Sequence, residues 1–121
     1  MARLFNVTVG AREPIALGRF WSQALAFEVV AETADLVRLA SRSNAPDGLL
    51  LRVDDVSPTS ALHLDLAAAD PRAEVERLVA LGASPADVGA DGQALTRQAH
   101  GIAWYVLTDP EGNEFCVGGE P

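Results

Sequence analysis

An internal repeat restricts the folds open to this chain more than any other feature. A proline preceded by an acidic residue opens an apolar helical pattern at Pro14 and again at Pro71, 57 residues later. Each pattern follows a strand-like run. A second motif also recurs: a proline, an acidic residue and a glycine stand at 46–48 and again at 110–112, 64 residues later. A repeat of this length predicts two similar halves, each built from one supersecondary unit.

Each half is predicted to contain one strand, one helix and three further strands, a βαβββ order. The helices begin at prolines, whose missing N–H costs nothing in a first turn, and their apolar residues recur every three or four positions. Because neither half could enclose its own sheet, we expect the two to form one larger sheet with the helices outside. The predicted strands are 3–10, 27–31, 35–42, 49–53, 62–66, 83–88, 94–98, 104–108 and 114–117.

The length and charge of the chain narrow the possible partners. The 121 residues suggest one domain, and the net charge of −8 disfavours nucleic acid while suiting a neutral or cationic small ligand. All nine basic residues are arginine, so no lysine is present for Schiff-base chemistry. No apolar run is long enough for a membrane span, and the N-terminal segment is too polar for a signal peptide. We therefore expect a cytoplasmic protein with no membrane partner.

The last part of the chain, residues 104–117, reads as a strand, a tight turn and a second strand. Residues 109–113, Asp-Pro-Glu-Gly-Asn, supply a proline that presets φ and two residues that tolerate positive φ. Strand alternation then places Glu114 and Cys116 on one face and Phe115 on the other. The single cysteine of the chain cannot form an internal disulfide, so its surroundings bear directly on function.

The repeat predicts which residues could meet at a site. Asn6 and His63 each lie eight residues before a helix-opening proline, and Arg52 and Cys116 each lie six residues after a turn proline. If the halves are related by a pseudo-twofold axis, these four side chains should converge on the face of the sheet away from the helices. Their neighbours on that face are expected to be Thr8, Asp65 and Glu114.

The pattern resembles the glyoxalase/bleomycin-resistance/extradiol-dioxygenase group, the vicinal oxygen chelate superfamily. The resemblance rests on the two βαβββ halves, on the Asp-Pro-Glu-Gly-Asn turn at 109–113, on the helix end at 20–27 and on the strand 63–66. It is closest to the bacterial glyoxalase-like domain proteins. Ala26 stands where the group usually has glycine, and a left-handed alanine there would cost about 1 kcal/mol, so we expect a remodelled helix end.

The resemblance implies an α+β fold in which two βαβββ modules form a curved mixed β-sheet around a cleft, with the helices on the outer face. It implies a single glyoxalase-like domain, with module one at 1–54, a linker at 55–60 and module two at 61–121. Relatives commonly pair, so a homodimer is expected by analogy.

The resemblance also bears on metal binding. Metal-dependent members place His or Glu at the four converging positions, whereas this chain offers Asn6, Arg52, His63 and Cys116. Arginine cannot ligate a metal and would repel a divalent cation, so the standard metal site is not expected. A shifted set of His63, Asp65 and Glu114 stays open as an alternative.

Candidate roles follow for these residues. His63 and Cys116 are candidates for proton transfer, with Arg52 and a protonated His63 expected to favour the thiolate, and Glu114 is a candidate general base. The candidate ligand-binding residues are Asn6, Thr8, Arg52, Asp65 and Trp104. The alternative for each is structural: a solvent-facing histidine, a buried thiol, an arginine paired with Glu114 or Asp65, and a core tryptophan.

Three functions remain open. The first is a metal-independent protein that binds or transforms a compact polar or aromatic molecule in the cleft. The second is a binding protein that sequesters a cationic antibiotic, which the acidic balance would suit. The third is a metal-dependent lyase, isomerase or dioxygenase that uses the shifted ligand set. The structural alternative to all three is that the polar face of the sheet is only its solvent-facing side and binds no ligand.

Overall fold

The protein is described by a computed structural model over residues 6–43, 45–52, 64–99 and 102–119. The chain divides into two compact units, with the boundary between residues 57 and 58. The predicted linker at 55–60 lies outside the described residues.

The first unit has the predicted βαβββ order. Its elements are β1 (Asn6–Ala11), α1 (Pro14–Leu25), β2 (Glu28–Glu32), β3 (Leu36–Ala40) and β4 (Asp47–Arg52). The sheet runs β1-β4-β3-β2, with β1 parallel to β4 and the other pairs antiparallel. The parallel pair requires a crossover connection, and α1 belongs to that connection.

Helix α1 packs closely on this sheet because one of its turns carries no side chain. Its buried residues are Pro14, Leu17, Gly18, Phe20, Trp21 and Ala24. A Cβ atom added at Gly18 would lie 2.7 Å from Cγ1 of Val37, a residue of β3 that is 0% exposed. The glycine therefore sets the close approach of helix and sheet, and the core of the first unit lies at this contact.

The end of α1 differs from the sequence-based expectation. Ala26 adopts a left-handed conformation with φ 55° and ψ 39°, and its N–H donates to the carbonyl oxygen of Ser22. Phe27 N–H donates to the same oxygen at 3.0 Å, and the Ser22 hydroxyl donates to the Phe27 carbonyl at 2.7 Å. The helix end is thus not remodelled around the missing glycine, because these hydrogen bonds hold alanine in a conformation that glycine would adopt more easily.

The second unit repeats the plan with one strand interrupted. Its elements are β5 (Leu64–Ala68), α2 (Pro71–Leu81), β6 (Ser84–Pro85), β7 (Thr96–Ala99), β8 (Ile102–Thr108) and β9 (Glu114–Gly119). The sheet runs β5-β9-β8-β6, and β7 also pairs with β8. Strands β6 and β7 lie along the same edge of β8, opposite residues 107–108 and 102–105, and together occupy the place of β2 in the first unit.

A short excursion separates β6 from β7. Val88 bridges Ala94, Leu95 N–H donates to the Asp87 carbonyl at 2.9 Å, and Gly89 N–H donates to the Gln93 carbonyl at 2.8 Å. The sequence predicts a mobile loop with a strand at 94–98; the structure instead contains a hydrogen-bonded hairpin followed by β7, which begins at Thr96. The extra length of the second half is this hairpin.

Helix α2 begins and ends at strong capping residues. The Asp70 side chain accepts a hydrogen bond from Ala73 N–H at 3.1 Å, which satisfies one donor of the first turn. Gly82, with φ 124°, follows the last residue, and its N–H donates to the Leu78 and Val79 carbonyls. Val75 and Leu78 are the buried residues of this helix.

The turn at 109–113 is organised by a buried carboxylate. Asp109 is 3% exposed, and its Oδ1 accepts hydrogen bonds from the N–H groups of Glu111 at 2.9 Å and Asn113 at 3.0 Å. Its Oδ2 accepts a third hydrogen bond, at 2.8 Å, from the Asn113 side chain, and Gly112 takes the positive φ, 89°. The predicted five-residue connection between two strands is therefore confirmed, since β8 ends at Thr108 and β9 begins at Glu114.

The α+β class is confirmed, with two helices and two mixed sheets in two βαβββ units. No helix within the described parts of the chain combines the length and the apolar composition that a membrane span requires.

Candidate functional site

The strand registers of the second unit bring several predicted site residues to one face of its sheet. Asp65 lies beside Cys116, Cys116 lies beside Val106, and Glu114 lies beside Thr108. Neighbouring residues in such pairs point to the same side of a sheet, so Asp65, Glu114 and Cys116 share a face. The helix side of the sheet carries Phe115, Val117 and Leu107, each 0% exposed. The predicted division of β9 into a polar and an apolar face agrees with this arrangement.

Trp104 lies on the same face as Cys116. A Cβ atom added at Gly118 would lie 2.7 Å from Cε3 and Cζ3 of the Trp104 ring, so the indole rests directly against the glycine backbone. Gly118 is buried and Trp104 is half-buried. The ring therefore lies flat enough on the sheet to touch a backbone position and still exposes part of its surface, which suits stacking on a ligand.

Arg97, which the sequence analysis did not single out, completes this face. It lies beside Trp104 in the β7–β8 register, and its guanidinium binds the Asp87 carboxylate through two nitrogens, with the Nη2–Oδ1 distance 2.9 Å. The hydrogen bonds from Arg97 lower the pKa of Asp87 below its ordinary value. The sequence does contain one signal for Arg97, because no lysine or arginine other than Arg97 follows Arg77. We call Asp65, Arg97, Trp104, Glu114 and Cys116 the polar face.

The thiol on the polar face is held in its protonated form. Burial raises the pKa of Cys116 above its ordinary value, and the charges of Asp65 and Glu114 raise it further, while Arg97 opposes them. Desolvation and like charge both disfavour the thiolate. Nearby positive charge was expected to lower the pKa of Cys116; burial of the thiol, and after it the charges of Asp65 and Glu114, raise this pKa instead.

In the first unit, Asn6 and Thr8 lie two residues apart on β1 and therefore on one face. The Asn6 amide donates a hydrogen bond to the Thr8 hydroxyl at 3.1 Å. The amide oxygen of Asn6 is buried and has no hydrogen-bond partner, the single side-chain atom in this condition within the described ranges. These two predicted ligand-binding residues are thus together, and one of them retains an acceptor that a ligand could use.

The predicted position of Arg52 is wrong. Arg52 pairs with Ala11, which is buried, and lies two residues after Leu50, which is 2% exposed. It therefore occupies the helix-side face of the first sheet, at its end, where it is exposed, and not the face of Asn6. The cause is a register error in the repeat: Asp65 pairs with Cys116, and its counterpart Thr8 pairs with position 49. Position 49, three residues before Arg52, is the equivalent of Cys116, and an odd shift exchanges the faces.

One predicted site residue lies outside the described part of the chain. It is His63, the candidate proton-transfer residue and metal ligand. Convergence of the four positions is accordingly a prediction that rests on the sequence.

The donor set does not fit a metal ion over the described residues. No group of three or more His, Cys, Asp and Glu side chains within them could hold one. The polar face offers two carboxylates on different strands and a thiol whose pKa is raised, whereas thiols ligate metals as thiolates. No chemical step at this face is therefore assigned to a metal.

Comparison with known families identifies the fold. The model of the family described as "Glyoxalase-like domain" matches residues 6–118, nearly the whole chain. The chain belongs to this family. The resemblance inferred from the repeat and the turn at 109–113 is thereby confirmed. Among curated proteins, none matches this glyoxalase-like chain.

Solved structures agree on the fold. A glyoxalase/bleomycin resistance protein/dioxygenase family enzyme from Burkholderia phytofirmans aligns with a TM-score of 0.71 at 18% identity, covering 98% of both chains. The bleomycin resistance determinant encoded on transposon Tn5 aligns with a TM-score of 0.67 at 16% identity, also over 98% of both chains. The oxidase ChaP-H2 aligns with a TM-score of 0.69 at 15% identity over 99% of this chain and 94% of its own. A bleomycin resistance determinant and an oxidase thus share this fold, and the site must decide between functions.

Proposed function

We propose that this glyoxalase-like protein binds a flat, cationic small molecule on the polar face of its second unit, without a metal ion. The observation that carries the proposal is the half-exposed Trp104 ring seated on Gly118 beside the strand positions of Asp65 and Glu114. An indole face attracts a planar cation through its quadrupole, and carboxylates supply the opposite charge.

The spacing of these groups suits one ligand of drug-like length. Along β9, Cys116 lies two residues from Gly118 and Glu114 lies four residues from it. These steps correspond to about 7 Å and 13 Å along a strand. Asp65 stands in the row of Cys116 on the neighbouring strand. A ring stacked on Trp104 could therefore extend a positive group toward Asp65 or Glu114.

The positive charge on this face is already neutralised. Arg97 would repel a cation from the position beside Trp104, but its guanidinium is bound to Asp87 in a two-nitrogen ion pair. The overall acidity of the chain, −8, favours the approach of a cation as well. The bleomycin resistance determinant of transposon Tn5, which shares this fold, supports this choice by analogy alone.

The neutral thiol fits binding better than nucleophilic catalysis. A protonated Cys116 at pH 7 adds an apolar, polarizable surface to the floor beside Trp104 and is a poor nucleophile. His63 stays a candidate for contacting the ligand, and Asn6 and Thr8 stay candidates on the first sheet. Arg52, on the helix side of its sheet, is removed from the ligand-binding set.

The proposal includes an expected cellular location and an expected oligomeric state. We expect the protein to act in the cytoplasm as a homodimer, as the acidic, single-cysteine composition and the family analogy suggest. Light scattering coupled to size exclusion measures the second of these, and a monomer at micromolar concentration would contradict it.

Tryptophan fluorescence provides the test. We expect an acridinium cation or bleomycin to quench Trp104 saturably, and a neutral ring compound and an anionic one of equal size to bind at least tenfold more weakly. Asp65→Asn and Glu114→Gln should each weaken binding of the cation, whereas Arg52→Ala should leave it unchanged. Equal binding of the neutral compound, or full binding by both carboxylate variants, would overturn the proposal.

A glycine pair gives a matched control. Gly118→Ala forces the Trp104 ring to move, since its Cβ would lie 2.7 Å from the ring, whereas a Cβ at Gly119 meets nothing within 4 Å. We expect only the first substitution to reduce affinity for the cation. If the two variants bind alike, Trp104 is not the platform.

A further inference from the structure

The helix side of the second unit contains a cavity that the polar face does not use. It has a volume of about 400 Å³ and lies between helix α2 and the hairpin that separates β6 from β7. Its apolar walls are Val75, Val79, Pro85, Ala94 and Tyr105. Tyr105 pairs with Val117, so the cavity opens on the face opposite to Cys116 and Trp104. Its volume falls in the range of small-molecule sites, about 300–1,000 Å³.

The cavity exists because the two helices sit differently on their sheets. Helix α1 packs against β2, β3 and β4, whereas α2 packs mainly against β5 and β9, which leaves the β8 edge less covered. Gly18 permits the close approach of α1, and its counterpart in the repeat, 57 residues on, is the buried Val75. Val75 thus carries a side chain at the position where α1 carries none, and this side chain forms part of the cavity wall.

Two opposite charges stand at the edge of this cavity. Arg72 and Glu76 both line it and are exposed, and they lie four residues apart on α2. Side chains at this spacing are neighbours that commonly pair. Here neither makes an ion pair or a hydrogen bond within the described part of the chain. Their charges are thus available for a ligand that carries both signs.

We propose that this cavity binds a compact zwitterion with an apolar side group, the chemistry of an aromatic or branched α-amino acid. The ligand carboxylate pairs with the Arg72 guanidinium and its ammonium with the Glu76 carboxylate. The side group enters between Val79 and Ala94 and rests on the Tyr105 ring. The site differs in ligand and in position from the polar face, so either can fail without the other.

The single tyrosine of the chain makes the test direct. With isotope-labelled tyrosine, the ring resonances of Tyr105 report on the cavity floor alone. We expect L-phenylalanine and L-leucine to shift them saturably at millimolar concentration or below. Phenylacetate, which lacks the ammonium, and phenethylamine, which lacks the carboxylate, should bind at least tenfold more weakly.

Variants on α2 complete the test. Arg72→Gln and Glu76→Gln should each weaken L-phenylalanine binding about tenfold or more. Arg77→Gln on the same helix, outside the cavity lining, should not. Absence of any saturable Tyr105 shift, or unchanged binding by both cavity-edge variants, would overturn the proposal. Equal binding of the one-charge analogues would overturn the zwitterion chemistry and with it the proposal.

Discussion

At the scale of single residues, Ala26 shows how the chain tolerates backbone strain. Ala26 adopts φ 55° at the end of α1, the one non-glycine residue with positive φ within the described ranges. Most L-residues avoid this region because Cβ crowds the backbone. The chain tolerates the strain because the backbone groups of Ala26 and Phe27 hydrogen-bond to Ser22.

Replacing this alanine with glycine should stabilise the protein. We expect Ala26→Gly to raise the free energy of unfolding by about 1 kcal/mol, since glycine adopts the left-handed conformation without a steric penalty. Ala16→Gly, at an exposed position inside the same helix, should lower it by about 0.5–1 kcal/mol. Urea titration of both variants measures the two effects, and a destabilised Ala26→Gly would contradict the account.

The pKa of Cys116 gives a second residue-level prediction. Burial, Asp65 and Glu114 raise this pKa, so the thiolate forms only above the ordinary value near 8.5. The iodoacetamide rate of the folded protein should therefore rise at higher pH than that of a free thiol. Asp65→Asn should shift the profile to lower pH and Arg97→Gln to higher pH. A half-maximal rate in the folded protein at or below the pH found for a free thiol would contradict the assignment.

Among the elements, the turn between β8 and β9 depends on one side chain. Asp109 accepts three hydrogen bonds while almost completely buried, and no backbone group could replace all three. The turn determines how β9 returns beside β8 and hence which residues share the polar face with Trp104. The most specific motif of the sequence is in this sense a structural one.

Removal of the Asp109 carboxylate should destabilise the second unit. We expect Asp109→Ala to lower the free energy of unfolding by about 2–3 kcal/mol, because it leaves two part-buried N–H groups and the Asn113 amide without their acceptor. Asp91→Ala provides the control, since Asp91 is exposed and its side chain accepts a hydrogen bond from Gln93 N–H at 3.1 Å. Thermal unfolding monitored by circular dichroism should separate the two variants clearly, and equal loss would refute the proposed role.

The second sheet also shows how one insertion creates new surface. The hairpin at 86–95 divides the strand equivalent to β2. Asp87 lies near its first end, and Arg97, which binds Asp87, lies two residues after its second end. The same insertion forms one wall of the cavity beside α2. A longer loop in one half of a repeat thus adds both a charged pair on one face and a cavity on the other.

For the whole molecule, the central question is whether ligand binding depends on a metal. The described residues contain no group of three suitable donors, and the proposed ligand binds through an indole and carboxylates. We expect treatment with EDTA to leave the affinity for an acridinium cation unchanged. Plasma emission analysis of the purified protein should find metal well below one ion per chain. Stoichiometric metal, with affinity lost on chelation and restored by the ion, would favour the shifted set of His63, Asp65 and Glu114.

Much of this fold follows from local sequence patterns. Proline at helix starts, a glycine after α2, and the Asp-Pro-Glu-Gly-Asn turn are short-range signals, and each marks an element end that the structure contains. Alternation along β9 likewise predicted that Glu114 and Cys116 share a face and that Phe115 lies on the other. These properties depend on a residue and its close neighbours, so the linear pattern contains them.

Properties that depend on pairing between distant segments were decided by the folded chain. The position of Arg52 was wrong because β4 takes its register from β1, some forty residues earlier, and not from the adjacent turn. Arg97 lies beside Trp104 only after the hairpin folds, and the Cys116 pKa rises because folding buries the thiol and brings carboxylates of β5 and β9 near it. Register and electrostatic environment are sums over spatial neighbours, and a one-residue shift reverses a face, so no local pattern specifies them.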